Sequence, residues 1–151
     1  MPQAGSAQAT LARSAASQGV GLHSGRPASV TLQPAPAGHG VRFVRRDLPS
    51  APQLPATLAH VGATHLATCL GRDEHAVGTV EHLLAALYAA GIDNVLIQSD
   101  GPELPILDGS ARPWCQLIEQ AGRLEQAVPA SLTRVVRPVE VRSGERRVRL
   151  S

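Results

Sequence analysis

Apolar residues recur at helical spacing in the stretch between Thr79 and Gly91. Positions i, i+3, i+4 and i+7 are typical of an amphipathic helix with one face in a core. Thr79 is a good N-cap residue, and Gly91 supplies the left-handed residue at which many helices stop. The pattern therefore predicts a helix with this apolar stripe: Val80, Leu83, Leu84 and Leu87.

A second helix is predicted after the Asp-Gly-Ser turn that ends at Ser110. Ser110 serves as its cap, Pro113 is tolerated in its first turn, and Gly122 stops it. Its predicted apolar stripe consists of Trp114, Leu117, Ile118 and Ala121.

Alternating apolar and polar residues predict strands on either side of the first helix. Residues 29–33 and 41–45 each have one apolar face and are predicted to form an antiparallel hairpin, and residues 94–99 form another strand. Residues 56–71 are predicted to contain two short strands. Together the elements predict an α+β fold, a two-layer sandwich in which two helices lie on one face of a mainly antiparallel sheet.

The two ends of the chain differ from this middle part. Residues 1–10 are small and polar, which predicts a disordered tail, and residues 11–126 form the predicted α+β domain. Residues 132–141 and 146–150 are predicted to be two strands joined at Ser143-Gly144. Six of the 14 arginines fall in this hairpin, which indicates either a solvated surface or a basic binding patch: Arg134, Arg137, Arg142, Arg146, Arg147 and Arg149.

Composition narrows the function classes. The 151 residues are enough for one ordinary domain, and a net charge of +2 with 2% aromatic residues argues against a nucleic-acid partner. Cys69 and Cys115 are too few for a disulfide framework and are predicted to be small core residues. The sequence shows neither a secretory leader nor a transmembrane run, so we expect a cytoplasmic protein.

The adjacent residues Glu81 and His82 are the first candidate for chemistry. The first turn of a helix favours a carboxylate and a neutral imidazole, because unpaired N–H groups and the positive end of the macrodipole lie there. At that open end both side chains can reach a site beyond the helix, which suits a metal-binding His beside a Glu that takes a proton from metal-bound water. The alternative is that Glu81 only complements the dipole and His82 is a boundary residue.

A glycine-rich turn precedes the first predicted hairpin. Three glycines in the seven residues 19–25 indicate a turn at which backbone passes close to another part of the molecule. The spacing does not match a phosphate-binding loop. His23 lies in this turn and, from the sequence alone, is a loop histidine.

Three separated motifs, in order, resemble one enzyme family. They are QGVGLHSGRPASVTLQPAPAGHGVRFVRRDLP, THLATCLG and TVEHLLAALYAAGIDNVLIQSDGPELPILDGSARP, within residues 11–122. They resemble the bacterial UDP-3-O-acyl-N-acetylglucosamine deacetylases, zinc-dependent hydrolases of lipid A biosynthesis. The resemblance implies a UDP-sugar acyl substrate and a two-domain enzyme, with residues 127–151 as a linker and the first hairpin of the second domain.

The resemblance also implies roles for particular residues. Glu81 is implied as the general base, His82 as a zinc ligand, Asp108 as a second-shell orienter and His23 as a cleft residue. The family's other zinc ligands are a His and an Asp four residues apart in the second domain, where a further His acts as general acid. No histidine of this sequence has an Asp four residues later. We therefore expect this chain alone to be inactive and to bind zinc weakly or not at all.

Three hypotheses remain open at this stage. The first is the amino-terminal part of the deacetylase, completed by its second domain or by a partner chain that supplies it. The second is a stand-alone, non-catalytic relative that binds or regulates a partner through an exposed apolar face. The third is a homo-oligomer with an inter-subunit metal site that uses His23, His65 or Asp108 as substitute ligands.

Overall fold

The computed structural model describes residues 7–131 and 133–151. Within these residues the chain forms β1 (Ala7–Leu11), β2 (Ala15–Val20), β3 (Pro27–Pro34), β4 (Val41–Arg45), β5 (Leu54–Pro55), α1 (Glu81–Ala90), β6 (Val95–Ser99), α2 (Arg112–Ala121), β7 (Arg123–Pro129), β8 (Val139–Ser143) and β9 (Arg146–Leu150). Two short 3₁₀ turns, Leu58–His60 and Asp73–His75, lie between β5 and α1.

The central sheet has five strands in the order β2-β3-β6-β4-β5. Its neighbours are antiparallel except β4 and β6, which run parallel. The strands predicted at 29–33, 41–45 and 94–99 are confirmed, but the predicted hairpin between the first two is wrong, because β6 lies between them. Val95 and Ile97 of β6 have no exposed surface, which suits a strand with a neighbour on each edge.

Both helices share one core with this sheet. Along its predicted stripe α1 buries Leu83 and Leu87, and α2 buries Trp114 and Ile118. The α+β sandwich is therefore confirmed. The predicted cap of α2 at Ser110 is wrong, because the cap position is the next residue and has no capping side chain. None of the described helices is long and apolar enough to cross a membrane. The sheet residues in the same core cluster include Val30, Leu32, Phe43, Val95 and Ile97.

Strands β1 and β7 form a separate antiparallel pair beside the main sheet. Ala9 and Leu11 of β1 have no exposed surface. The predicted disordered tail over residues 1–10 is therefore wrong for residues 7–10, whereas residues 1–6 lie outside the described residues. Small residues bury little area each, but pairing with β7 satisfies their backbone groups.

The segment between β5 and α1 contains turns rather than the two strands predicted for residues 56–71. The 3₁₀ turn Leu58–His60 is followed by single bridges that join Val61 to Leu70 and Leu70 to Val77. The N–H of Gly62 donates to the carbonyl of Cys69 at 2.9 Å. The alternation of apolar and polar residues led to the prediction of strands here. Single bridges and full strands cannot be told apart in this way, because both place alternate side chains on one side of the backbone.

Strands β8 and β9 form an antiparallel hairpin of their own. The first strand begins at Val139, later than predicted; residues 133–138 are not strand, and Leu132 lies outside the described residues. Cross-strand pairing separates two faces, because paired residues point to the same side of the ladder. Val139 with Leu150 and Val141 with Val148 form the apolar face, and Glu140 with Arg149 and Arg142 with Arg147 form the charged face.

Candidate active site

The first turn of α1 carries both residues of the predicted catalytic pair. Glu81 and His82 are half-buried, so the helix start is not sealed beneath hydrocarbon. Oε2 of Glu81 accepts a hydrogen bond from the backbone N–H of Thr68 at 3.0 Å. This bond holds one carboxylate oxygen in place at the start of the helix.

The imidazole of His82 makes no hydrogen bond to the described residues. A metal-binding histidine normally donates its second ring nitrogen to a carboxylate or a carbonyl. No such partner for His82 lies within residues 7–131 and 133–151. Its assignment as a zinc ligand therefore stays a prediction.

Thr79 does not cap the helix, so the predicted N-cap is wrong. The cap position is Val80, which has no capping side chain, and Thr79 has a positive φ of 57°. Its hydroxyl points away from the helix and donates to Oε1 of Glu103 at 3.1 Å. The Thr79 hydroxyl therefore bonds to a carboxylate 24 residues away instead of capping the first turn of α1.

Glu103 is the buried carboxylate that the sequence analysis missed. Oε1 also accepts the backbone N–H of His23 at 2.9 Å, and Oε2 accepts that of Ser24 at 2.9 Å. Burial by itself raises the pKa of the Glu103 carboxyl, but the hydrogen bonds from His23, Ser24 and Thr79 outweigh it, so the pKa lies below its usual value. The signal was an acidic residue directly before the apolar run 104–107, where a buried charge requires partners.

A cleft with a volume of about 410 Å³ lies beside these residues. It brings together two predicted residues, His23 and His65, which are 42 positions apart in the sequence numbering, on the exposed rim of one cavity. Glu81 and His82 do not line it, but Glu81 is bonded to Thr68, whose neighbours on both sides do. The lining residues are His23, Ser24, His65, Ala67, Cys69, Gly78, Thr79, Pro102 and Glu103.

The two cysteines do not behave as the predicted core residues. Cys115 is exposed on α2, and Cys69 is only half-buried at the cleft wall. Burial, followed by the charges of Glu81 and Glu103, raises the pKa of the Cys69 thiol, so that it is protonated at neutral pH.

Asp108 does not line this cleft. Its Oδ1 accepts the backbone N–H of Ser110 at 2.9 Å and the hydroxyl of Ser110 at 2.8 Å, on an exposed turn. These hydrogen bonds lower the pKa of the Asp108 carboxyl. The contacts that the structure gives Asp108 are those of a turn residue.

The donor set available for a metal is incomplete. Within residues 7–131 and 133–151, no group of three or more His, Cys, Asp and Glu side chains is placed to hold a metal ion. A catalytic zinc takes three protein ligands. The described residues by themselves therefore do not fit a complete zinc site.

Comparison with known proteins gives one consistent result. The chain matches the model of the UDP-3-O-acyl N-acetylglycosamine deacetylase family over residues 8–151. It is similar to the UDP-3-O-acyl-N-acetylglucosamine deacetylases of Myxococcus xanthus, with 51% identity over 144 residues, and of Thermosynechococcus vestitus, with 49% identity over 144 residues. These matches cover 95% of this chain but 46% and 50% of the two relatives. The chain thus spans about half the length of the curated relatives it matches.

Proposed function

Because the chain belongs to the UDP-3-O-acyl N-acetylglycosamine deacetylase family, we propose that it is the amino-terminal part of a zinc-dependent deacetylase of lipid A biosynthesis. The proposed substrate is UDP-3-O-acyl-N-acetylglucosamine, and the reaction is hydrolysis of its N-acetyl group. The observation that carries this assignment is the anchored carboxylate of Glu81 at an open helix start beside a cleft.

Glu81 is the proposed general base. Its carboxylate takes a proton from water, the water oxygen attacks the N-acetyl carbonyl carbon, the carbon–nitrogen bond breaks, and acetate leaves. The bond from Thr68 fixes Oε2, and Oε1 is the oxygen proposed to accept the proton. The proton that the leaving amine requires comes from an acid outside this chain.

His82 is the proposed contribution of this chain to the zinc site. The remaining ligands belong to the part of the relatives that this chain does not match. Because the described residues do not complete the site, we expect the chain alone to hold well under one zinc per molecule after purification, measured by elemental analysis. One zinc per chain, abolished by His23→Ala or His65→Ala, would instead support a metal site shared between subunits.

The hairpin β8–β9 supports a second structural unit after β7. Its four apolar-face residues are each at least half exposed, with Val139 at 52% and Val148 at 69%. An apolar sheet face requires cover, so we propose that residues 130–151 begin a second domain whose remainder packs on this face. In this proposal the first domain extends from β1 through Pro129 rather than over the predicted residues 11–126, because a boundary after residue 126 would fall inside β7. Both cysteines are free thiols, which fits the proposed cytoplasmic location.

The test is to join this chain to the part of the Myxococcus xanthus relative that it does not match. Acetate release from UDP-3-O-acyl-N-acetylglucosamine is expected in the joined protein and not in the chain alone. Glu81→Ala is expected to lower kcat at least ~100-fold, since a general base typically contributes that much. Glu119→Gln, on an exposed position of α2, is the matched control and should retain activity. Undiminished turnover in the Glu81→Ala protein would refute the assigned role.

A further inference from the structure

One carboxylate connects two distant segments of the candidate active site. Glu103 receives hydrogen bonds from the glycine-rich turn at His23 and Ser24 and from Thr79, which lies two residues before Glu81. The turn is 80 residues away in sequence, and Thr79 is 24 residues away. A single side chain therefore fixes the position of the His23 turn relative to the start of α1.

The turn is shaped to receive this carboxylate. A Cβ atom added to Gly21 would lie 2.4 Å from Oε2 of Glu103 and 2.4 Å from Oγ of Ser24. Carbon and oxygen atoms do not approach so closely, so any larger residue at position 21 would displace the carboxylate. The glycine is required by the contact with Glu103, as the close-approach prediction for this turn suggested.

The second anchor point is held in a strained backbone conformation. A positive φ, here 57°, is unfavourable at a β-branched residue such as Thr79 and persists only where the surroundings impose it. Here the surroundings are the bond to Glu103 and the bridge at Gly78, whose N–H donates to the carbonyl of Pro102 at 2.8 Å. The N–H of Leu104 in turn donates to the carbonyl of Gly78 at 3.1 Å. Both sides of Glu103 are thus tied to the residue before Thr79.

The charge of Glu103 is held by neutral donors. Glu103 is 7% exposed, and its hydrogen-bond partners are the backbone N–H groups of His23 and Ser24 and the hydroxyl of Thr79 rather than a cation. A buried carboxylate with these donors is restricted in position, because each donor is fixed by its own backbone. Such an arrangement provides rigidity and leaves no carboxylate oxygen without a bond.

We propose that Glu103 is a positioning residue of the deacetylase site, which holds the His23 turn and the start of the helix carrying Glu81 and His82 in one fixed arrangement. The inference rests on the proposed function for its catalytic consequence. The hydrogen bonds that Glu103 accepts from His23, Ser24 and Thr79 are called the Glu103 clamp below. The clamp is a property of this chain, and it can be measured without an activity assay.

The first experiment uses the ¹⁵N-labelled chain and NMR. Glu103→Gln keeps the side-chain shape but replaces one acceptor oxygen with a donor, so one of the N–H groups of His23 and Ser24 loses its partner. Amide resonances of His23, Ser24, Thr79, Glu81 and His82 should shift together, and core resonances should stay in place. Glu119→Gln is the matched control and should move none of these five.

The second experiment uses the joined protein and separates kcat from KM. Glu103→Gln and Thr79→Val should each lower kcat, by about 10- to 100-fold for the former, because a misplacement of about 1 Å has effects of that size. KM should change less than about threefold, since Glu103 is bonded to protein groups on both oxygens. Thr79→Ser keeps the hydroxyl and should restore the wild-type kcat, which a general packing role of Thr79 would not require.

The outcomes separate the two proposals. If the joined wild-type protein releases no acetate, the proposed function fails, while coupled NMR shifts would still establish the clamp. If it releases acetate and a folded Glu103→Gln or Thr79→Val variant keeps the wild-type kcat, the positioning role is overturned.

If Glu103→Gln does not fold, Gly21→Ala and Thr79→Val give the same decision, because each weakens the contact of the Glu103 carboxylate from the side of its partner. Shifts confined to residue 103 and its sequence neighbours would overturn the clamp directly.

Discussion

The two helices of this sandwich begin in opposite ways. At α2 the contacts are local: Oγ of Ser110 accepts the N–H of Arg112 at 3.1 Å, and Asp108 accepts from Ser110. Neither helix has a capping side chain, but at the start of α1 Glu81 and Thr79 are held by residues that are 13 and 24 positions away. The start of α2 is a self-contained turn, whereas the start of α1 is assembled by the fold.

This difference matters for function. A change in a self-contained turn has little effect on the rest of the molecule, because the hydrogen-bond partners of the turn lie within two residues. Near the start of α1, Thr79 is bonded to Glu103, which also holds the His23 turn, and Glu81 is bonded to Thr68, whose neighbours line the cleft. A change at the start of α1 is therefore expected to move residues of the cleft. A site that must align groups from separate segments requires the second kind of helix start.

The largest expected difference is in stability. Glu103→Ala leaves three donors without an acceptor in a buried place, and we expect it to lower the free energy of unfolding by roughly 3 kcal/mol, since hydrogen bonds to charged groups are among the strong ones. Asp108→Ala removes bonds on an exposed turn and should cost much less. Urea unfolding followed by circular dichroism measures both. Equal losses would remove the distinction between the two helix starts.

A smaller effect is expected from the turn before α2. Ser110→Ala removes the acceptor for the N–H of Arg112 and should lower the free energy of unfolding by about 1 kcal/mol in urea unfolding, as loss of one hydrogen bond usually does. Amide resonances of the cleft residues should not move. Shifts at His23 or Thr79 in this variant would show that the α2 start is coupled to the cleft after all.

The smallest expected effect is on the acid side of the stability curve. The pKa of Glu103 is lowered in the folded chain, so the unfolded chain binds the proton first as pH falls. Glu103 therefore contributes stability that is full above its unfolded pKa of about 4.5 and is lost as pH falls through the folded value. Glu103→Gln should flatten the dependence of unfolding free energy on pH in that range.

The matched comparison is Asp108→Asn. Its pKa is also lowered, but the group is exposed and solvent weakens its interactions. We expect it to flatten the acid slope less than Glu103→Gln does. A larger effect from Asp108 would show that the exposed turn, rather than the buried clamp, dominates the acid response.

Sequence patterns identified the parts of the site unevenly. Glu81 and His82 stood out because they follow a helix start that the apolar stripe defined, and Gly21 stood out because three glycines indicated close approach. Glu103 did not stand out, because its partners lie in two other segments and the local sequence around residue 103 does not indicate which residues contact it. The error at Thr79 has the same origin, since its hydroxyl has a local use as a cap and a distant use at Glu103, and only the fold selects between them.

The sequence by itself determined the helices, most of the main strands and the faces that each one buries. Those properties follow from local periodicity, because a repeat of 3.6 or 2 residues specifies which side chains share a face. The tertiary structure decided which elements are neighbours: β6 between β3 and β4, β1 beside β7, and Glu103 against both His23 and Thr79. Periodicity specifies a buried face but not the partner that covers it, and the alignment of a site depends on the partners.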